Sequence, residues 1–303
     1  MYFVKRILMM VPLLILISFM AFVMIRLAPG GPFDKERSSS PEIKRALEAQ
    51  YHLDEPLWKQ YLRYLGSLLQ GDLGPSLKYR NHTVNDIVAQ ALPTSLILGL
   101  LAFGFAQGVG LPLGFFCAVK KGRWQDWLGS FFAILAVCVP PLVVGPLLVM
   151  WFGVKWKILP VGLWQSPAHV ILPTVTLGLY FSGRIARLMR EGMLTTLDAP
   201  FITTARAKGL SETAIYLKHA VRIAILPVVS YSGPLLADLL TGSFVVEYIF
   251  RLPGIGVFFV NSFLNRDYLM LVGLVLIYAL LLVVLNFLVD WSYTLLDRRV
   301  RYD

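Results

Sequence analysis

Hydrophobic positions in this chain run in long unbroken blocks, where a soluble helix would recur on one face and a half-buried strand would alternate. A helix that crosses a bilayer needs ~20 consecutive apolar residues, so the length of each charge-free block decides the reading. Ile7–Ile25, Ile87–Val119, Trp127–Val154, Ile158–Gly183 and Tyr268–Val289 contain no Asp, Glu, Lys or Arg, and Ile223–Val246 is interrupted by Asp238 alone. The pattern predicts six membrane spans, at about 8–27, 95–118, 128–152, 165–184, 226–248 and 268–290. The Ile158–Gly183 block includes a loop ahead of its span.

Between the first two spans the period changes to that of amphipathic helices. Ser40 precedes Pro41 and Glu42, an N-cap with proline and an acid in the first turn, ahead of Ile43, Leu47 and Tyr51 on one face. A second helix is predicted from Asp54, with Leu57, Tyr61, Leu65 and Leu68 at helical spacing and Gly71 as its stop. Gly71–Ser76 is a turn cluster, and Val84–Ala91 is a short amphipathic lead into the second span. The chain therefore divides into an N-terminal span (1–30), a small helical insertion (31–93) and a core of five spans (94–303). Within that core, a loop at about 190–225 joins the fourth and fifth spans.

The composition, 57% hydrophobic and 15% charged, agrees with lipid as the solvent, since soluble domains run near a quarter charged. A net charge of +10 raises the question of nucleic acid, and the placement of the basic residues answers it. With the N-terminus inside, the short inner segments hold Lys5, Arg6, Lys120, Lys121, Arg123, Arg184, Arg187, Arg190, Arg206, Lys208, Lys218, Arg222, Arg298, Arg299 and Arg301. The short outer loops hold only Lys155, Lys157, Arg251 and Arg266. This is the positive-inside bias; it predicts cytoplasmic termini and no nucleic-acid partner. The first span follows Lys5 and Arg6 as a signal peptide would, but it is too long for an h-region and no small-x-small site follows, so it reads as an anchor.

Candidate chemistry is sparse. No glycine-rich loop ends in Gly-Lys-Ser/Thr, so the chain lacks an ATPase motif of its own. Gly104, Gly108, Gly110 and Gly114 form two small-xxx-small pairs inside the second span, which reads as close helix packing. The four histidines are dispersed without ligand spacing, and Cys117 and Cys138 lie in apolar spans without a CxxC. No nucleophile and base can be placed in register across spans for an intramembrane hydrolase. The reading is passage and not reaction, with no cofactor or metal in this chain.

The loop between the fourth and fifth spans holds the densest local signals. Asp198 as N-cap and Pro200 in the first turn open a helix over 199–208, with Arg206 and Lys208 at the negative end of its dipole. Gly209 supplies a left-handed corner, and Ser211 with Glu212 starts the next helix. Phe201 and Ala205 stand one turn apart.

Thr203-Thr204-Ala205-Arg206-Ala207-Lys208-Gly209-Leu210-Ser211, followed by His219 to Leu226-Pro227, resembles the EAA loop of binding-protein-dependent ABC importers, in the form of the dipeptide, oligopeptide and nickel permease group. Thr203 stands where the motif usually has Glu. Met24 to Gly30, the Gly71–Ser76 turn, Leu92-Pro93-Thr94, Val246 to Phe250 with Pro253 to Gly256, Asn265 to Tyr268, and Asp297 to Tyr302 are similar to the B-type permease of oligopeptide importers. Arg298 replaces the proline common there. The Ala28 to Phe33 lead-in and Tyr51 to Pro56 lean the resemblance toward oligopeptides, with dipeptide, nickel and antimicrobial-peptide permeases as alternatives.

That resemblance implies an all-α, six-span type I importer permease that pairs in the inner membrane with a second, homologous permease. Its other implied partners are two cytoplasmic ATPases, which bind ATP and magnesium, and an extracytoplasmic peptide-binding protein. It also implies that Phe201, Ala205, Arg206, Lys208 and Gly209 couple to an ATPase groove. An ionised acid mid-span must avoid lipid, so Asp238 either lines the translocation cavity or pairs with a polar group of the partner permease. Pro140-Pro141 predicts a break near Val137–Val139, as gate or plain packing feature. The outer helices, with Lys59 and Arg63, either receive the binding protein or shield the spans.

Overall fold

A computed structural model describes residues 2–27, 41–79, 81–240 and 244–296, without the side chains of 2–7, 41, 43, 44 and 289–296. The helices, in order, are α1 (Tyr2–Leu27), α2 (Pro41–Gln50), α3 (Leu57–Leu69), α4 (Val84–Val119), α5 (Trp124–Cys138), α6 (Pro141–Leu148), α7 (Ala168–Leu197), α8 (Pro200–Ala207), α9 (Glu212–Ala214), α10 (Val221–Ala224), α11 (Leu226–Leu240), α12 (Phe244–Ile249), α13 (Ile255–Asn265) and α14 (Tyr268–Leu296). Wider π-helical turns at Val149–Lys155 and Ile215–Ala220 extend α6 and join α9 to α10. The proposed Ser40 cap, the Lys5 and Arg6 side chains, and the Asp297–Tyr302 run lie outside the described residues.

α1, α4 and α14 are each long and apolar enough to span a bilayer, and two bent pairs also qualify: α5 with α6 and its extension, and the 212–224 segment with α11. The fourth predicted span falls on α7, a 30-residue helix whose second half carries Arg184, Arg187, Arg190 and Glu191. Arg184, Arg187 and Glu191 lie on its exposed side and Arg190 pairs with Asp126, while α5, α6, α10, α11 and α12 pack on its buried face. The fifth predicted span is carried by α11 and α12.

The chain forms two compact units. One comprises 1–94 and 254–303; the other comprises 95–253, and α4 runs from the first into the second. The predicted lead Val84–Ala91 and the second span are thus a single helix through Pro93, a position where proline removes only one rung of the ladder.

In the first unit α1 packs along α14, and α3 is tied to α1 by the Tyr61 hydroxyl, which lies 2.9 Å from Ser18 Oγ and donates to the Ile15 carbonyl at 3.1 Å. The buried face of α3 departs from the apolar pattern: Gln60 and Tyr64 are its buried residues, whereas Leu57 is exposed. Two sequence-distant motifs meet here. Ser76, from the Gly71–Ser76 turn, donates to the Asp267 carboxylate, which also accepts the Lys78 amide at 3.2 Å and the Met270 amide at 3.2 Å, so Asp267 caps the first turn of α14.

In the second unit, Leu98, Ala102, Ile185, Met193, Ile202 and Phe250 belong to one continuous core. Of the four glycines in α4, Gly110 and Gly114 face α7; a Cβ at Gly114 would lie 2.3 Å from the Ala186 carbonyl oxygen. Gly104 and Gly108 have nothing within 4 Å of a Cβ, so the first small-xxx-small pair has no partner helix among the described residues.

Candidate functional site

The Pro140-Pro141 pair breaks the third predicted span. α5 ends at Cys138, Val139 is extended (φ −90°, ψ 115°), and Pro141 opens α6 at its first position, where a missing N–H costs nothing. The bend between the two arms is 103°, so 128–152 is not one straight rod.

The break positions a cavity. Pro141, Tyr180, Phe181, Asp238 and Phe244 line a space of about 230 Å³ in the second unit, which brings together two of the residues singled out for a translocation pathway. Pro140 is not among its lining residues. Asp238 is exposed on this chain, and because an ionised carboxylate at mid-span does not face lipid, its open side must meet water or another protein. Arg184, of α7, is the cation whose charge acts on Asp238. Its Nη1 donates to the Tyr231 hydroxyl at 3.4 Å and its guanidinium lies 5.6 Å from that ring. Arg184 and Tyr231 escaped sequence reasoning because the arginine counted only as an inside charge. A hydrogen bond from Gln107 to Ser232 ties α4 to α11 within the apolar layer.

The second candidate is the 199–212 segment. Asp198 is not the N-cap: it closes α7 (φ −85°, ψ −1°), and the cap is Ala199 in an extended conformation with no side-chain bond. Pro200 still takes the first position of α8. Gly209 holds φ +79° in the left-handed region, and the Ser211 hydroxyl accepts the Ala214 amide at 3.4 Å to open α9. The corner is bridged by Arg206, whose Nε and Nη2 donate to the two Glu212 carboxylate oxygens at 2.8 and 3.2 Å. That bidentate pair holds the Glu212 carboxyl below its usual range and raises the Arg206 guanidinium.

Phe201 and Ala205 do not share an outward face. Ala205 is 8% exposed and packs with Ile202 in the core, whereas Phe201 is 41% exposed. Thr203, Thr204 and Ala207 lie opposite Ile202 and Ala205, with Phe201 and Arg206 at the flanks and Lys208 just past the helix end, all exposed.

A partly buried ion pair joins α5 to α7. Asp126 of α5 accepts Arg190 Nε at 2.7 Å and Nη2 at 2.9 Å, and also the Gly122 amide at 3.0 Å. It fastens α5 and the 120–123 turn to α7, which leads into α8. At 64 residues apart, nothing in the sequence pattern pairs the two.

In the insertion between α1 and α4, Lys59 and Arg63 are not isolated charges. Both face Glu55, at 3.4 and 2.9 Å, and the His52 ring lies 3.7 Å from it. Partial burial of Glu55 favours its neutral form, but the Lys59 hydrogen bond and the charges of Arg63, Lys59 and His52 outweigh that and hold the carboxyl below its usual range.

With this geometry in view, the relatives are informative. Residues 110–302 match the family model of the binding-protein-dependent transport system inner membrane component. The chain belongs to this family. It is 43% identical over 300 residues, covering 98% of both chains, to the oligopeptide transport system permease protein OppB of Haemophilus influenzae. It is 40% identical to the dipeptide transport system permease protein DppB of Bacillus subtilis, over 99% of this chain and 97% of that one. Among solved structures, an inward-facing MetNI methionine ABC transporter superposes with a TM-score of 0.60 at 15% identity, covering 70% of this chain and 96% of that one. An amino acid ABC transporter superposes with a TM-score of 0.51 at 19% identity. The permease is thus an inner-membrane transport component with the type I ABC importer fold. The insertion precedes the region of the family model, while the full-length relatives extend across it.

Proposed function

We propose that the permease is one of two pore-forming subunits of an ATP-driven oligopeptide importer, and that it works by alternating access. The observation that carries this reading is the 43% identity to oligopeptide permeases over nearly the whole of both chains, insertion included. The cavity chemistry supports it. A peptide presents an ammonium at one end and a carboxylate at the other, and the Asp238 wall with Arg184 nearby offers one group of each sign.

The helix, left-handed corner and helix at 200–214 serve as the coupling element, seated on one of two cytoplasmic ATPase subunits that bind ATP and magnesium. Phe201 is its exposed anchor, and Arg206, Lys208 and Gly209 set its outer edge and its angle; Ala205 fastens it to the permease core. Asp238, with Pro140 and Pro141 at the bend beside it, belongs to the translocation pathway, whose other half comes from a second, homologous permease. Both termini lie in the cytoplasm. An extracytoplasmic binding protein docks on the insertion near Lys59 and Arg63, with the exposed Trp58 and Leu62 of the same helix beside them.

The test is growth of an auxotrophic host that lacks its own peptide permeases, given the required amino acid only within peptides of two to five residues. Expression of this chain with its companion subunits restores growth on peptides of three or more residues. The 40% identity to a dipeptide permease favours a second reading, under which dipeptides alone restore growth. Restoration by neither overturns both.

A further inference from the structure

A cavity that the transport reading does not use lies where the insertion meets α1 and the start of α14. It measures about 180 Å³, and its wall includes Arg26, Gln60, Arg63, Tyr64 and Ser67, with no Asp or Glu among the described residues that line it. Arg63 is already committed to Glu55. Among the described residues, no acid pairs with Arg26. Its Nη2 donates to the Gln60 side-chain oxygen, and its guanidinium stacks 4.4 Å from the Tyr268 ring and 5.4 Å from the Phe22 ring. Those contacts fix the plane of the guanidinium but supply no negative charge, and Arg26 Nε has no hydrogen-bond partner among the described residues.

Gln60 acts as a positioning residue. Its amide nitrogen donates to the Leu53 carbonyl at 3.1 Å and the Glu55 carbonyl at 2.6 Å, which turns its oxygen toward Arg26. Tyr64 is 4% exposed, and its hydroxyl also has no hydrogen-bond partner among the described residues. Burial pushes that phenol well up, so it remains a donor throughout the physiological range. Buried polar groups are nearly always satisfied, and a partly buried guanidinium without a counter-ion is the costlier case. An arginine at the end of a span can keep its head at the interface, but that leaves the neighbouring unpaired hydroxyl without a reason.

We propose that this cavity binds a carboxylate, with Arg26 as the charged anchor and Tyr64 as a neutral donor. A bidentate guanidinium contact suits the planar group, and the volume suits a short-chain acid or the end of a peptide. The site is built from the end of α1, the insertion and the first turn of α14, and it does not depend on the transport reading.

Ligand-observed NMR titrations of sodium acetate into the full-length chain in phosphatidylcholine nanodiscs test it. Arg26→Met keeps the stacked stem and removes the charge; it weakens acetate about tenfold or more. Tyr64→Phe deletes an unpaired hydroxyl, so it preserves the fold, and it weakens acetate about fivefold. Trialanine that displaces acetate, where trialanine amide does not, identifies a peptide terminus as the source; failure of both to displace it supports the site with a free small acid as the source. Absence of acetate binding, acetate affinity unchanged in either variant, or displacement by the amide as effective as by the acid overturns the proposal.

Discussion

At the scale of single residues, two positions separate backbone from charge. Gly209 has no atom within 4 Å of a Cβ, so a side chain there meets open space and the whole penalty comes from φ +79°. Gly209→Asn, which tolerates the left-handed region, should keep the corner, whereas Gly209→Val should strain it by more than the ~1–2 kcal/mol of an ordinary residue there. ATP hydrolysis uncoupled from peptide uptake in the valine variant, with coupling kept in the asparagine variant, is the expected pair of results. Equal coupling in both variants removes the corner from the mechanism. Asp238→Asn keeps shape and removes a charge that faces the cavity. Uptake of cationic peptides should fall several-fold more than uptake of neutral ones, read from initial rates in the same vesicles; an equal fall would make Asp238 a structural partner. Glycine and proline were legible in the sequence at these places because their backbone effects are local. Ala205 was not: spacing puts it one turn from Phe201, but only the packing of Ile202 and the core decides that it faces inward.

At the scale of elements, the double proline and the partly buried ion pair set the angles between helices. Replacing Pro140 and Pro141 with alanine restores two backbone donors and lets α5 and α6 approach one continuous helix, against the observed 103°. Transport should slow while insertion is unaffected; a normal rate at normal membrane levels would leave the bend as packing alone. Asp126→Asn leaves Arg190 behind without its charge partner. The loss should be on the order of 2 kcal/mol, less than for a fully buried pair because the Arg190 side chain keeps 29% of its exposure, and it should appear as a lowered melting temperature in detergent. An unchanged melting temperature would show the pair to be dispensable. The element map was largely readable from hydropathy, but this pair was not, since hydropathy records α5 and α7 separately and their contact is tertiary. The second half of α7 continues the helix past the predicted span because Arg184, Arg187 and Glu191 fall on its exposed side and Arg190 pairs with Asp126, an arrangement that hydropathy does not record. Gln60 reads as a solvent-facing residue of an amphipathic helix, yet it is buried because Arg26 and two carbonyls satisfy it.

At the scale of the molecule, an apolar chain with few convergent reactive groups is organised around a bent pair of helices, an acid-walled cavity and a rigid inner corner. These features fit a subunit that converts a partner's motion into passage. The insertion between α1 and α4 precedes the segment recognised by the general family model, and the oligopeptide permease relatives align across it. The measurement that bears most directly on the whole account is peptide uptake by proteoliposomes containing this chain, its companion permease, both ATPases and the binding protein. The account predicts ATP-dependent accumulation of a labelled tetrapeptide, abolished when this chain is omitted and uncoupled from hydrolysis by Gly209→Val. Accumulation that persists without this chain, or that proceeds without ATP, would contradict it.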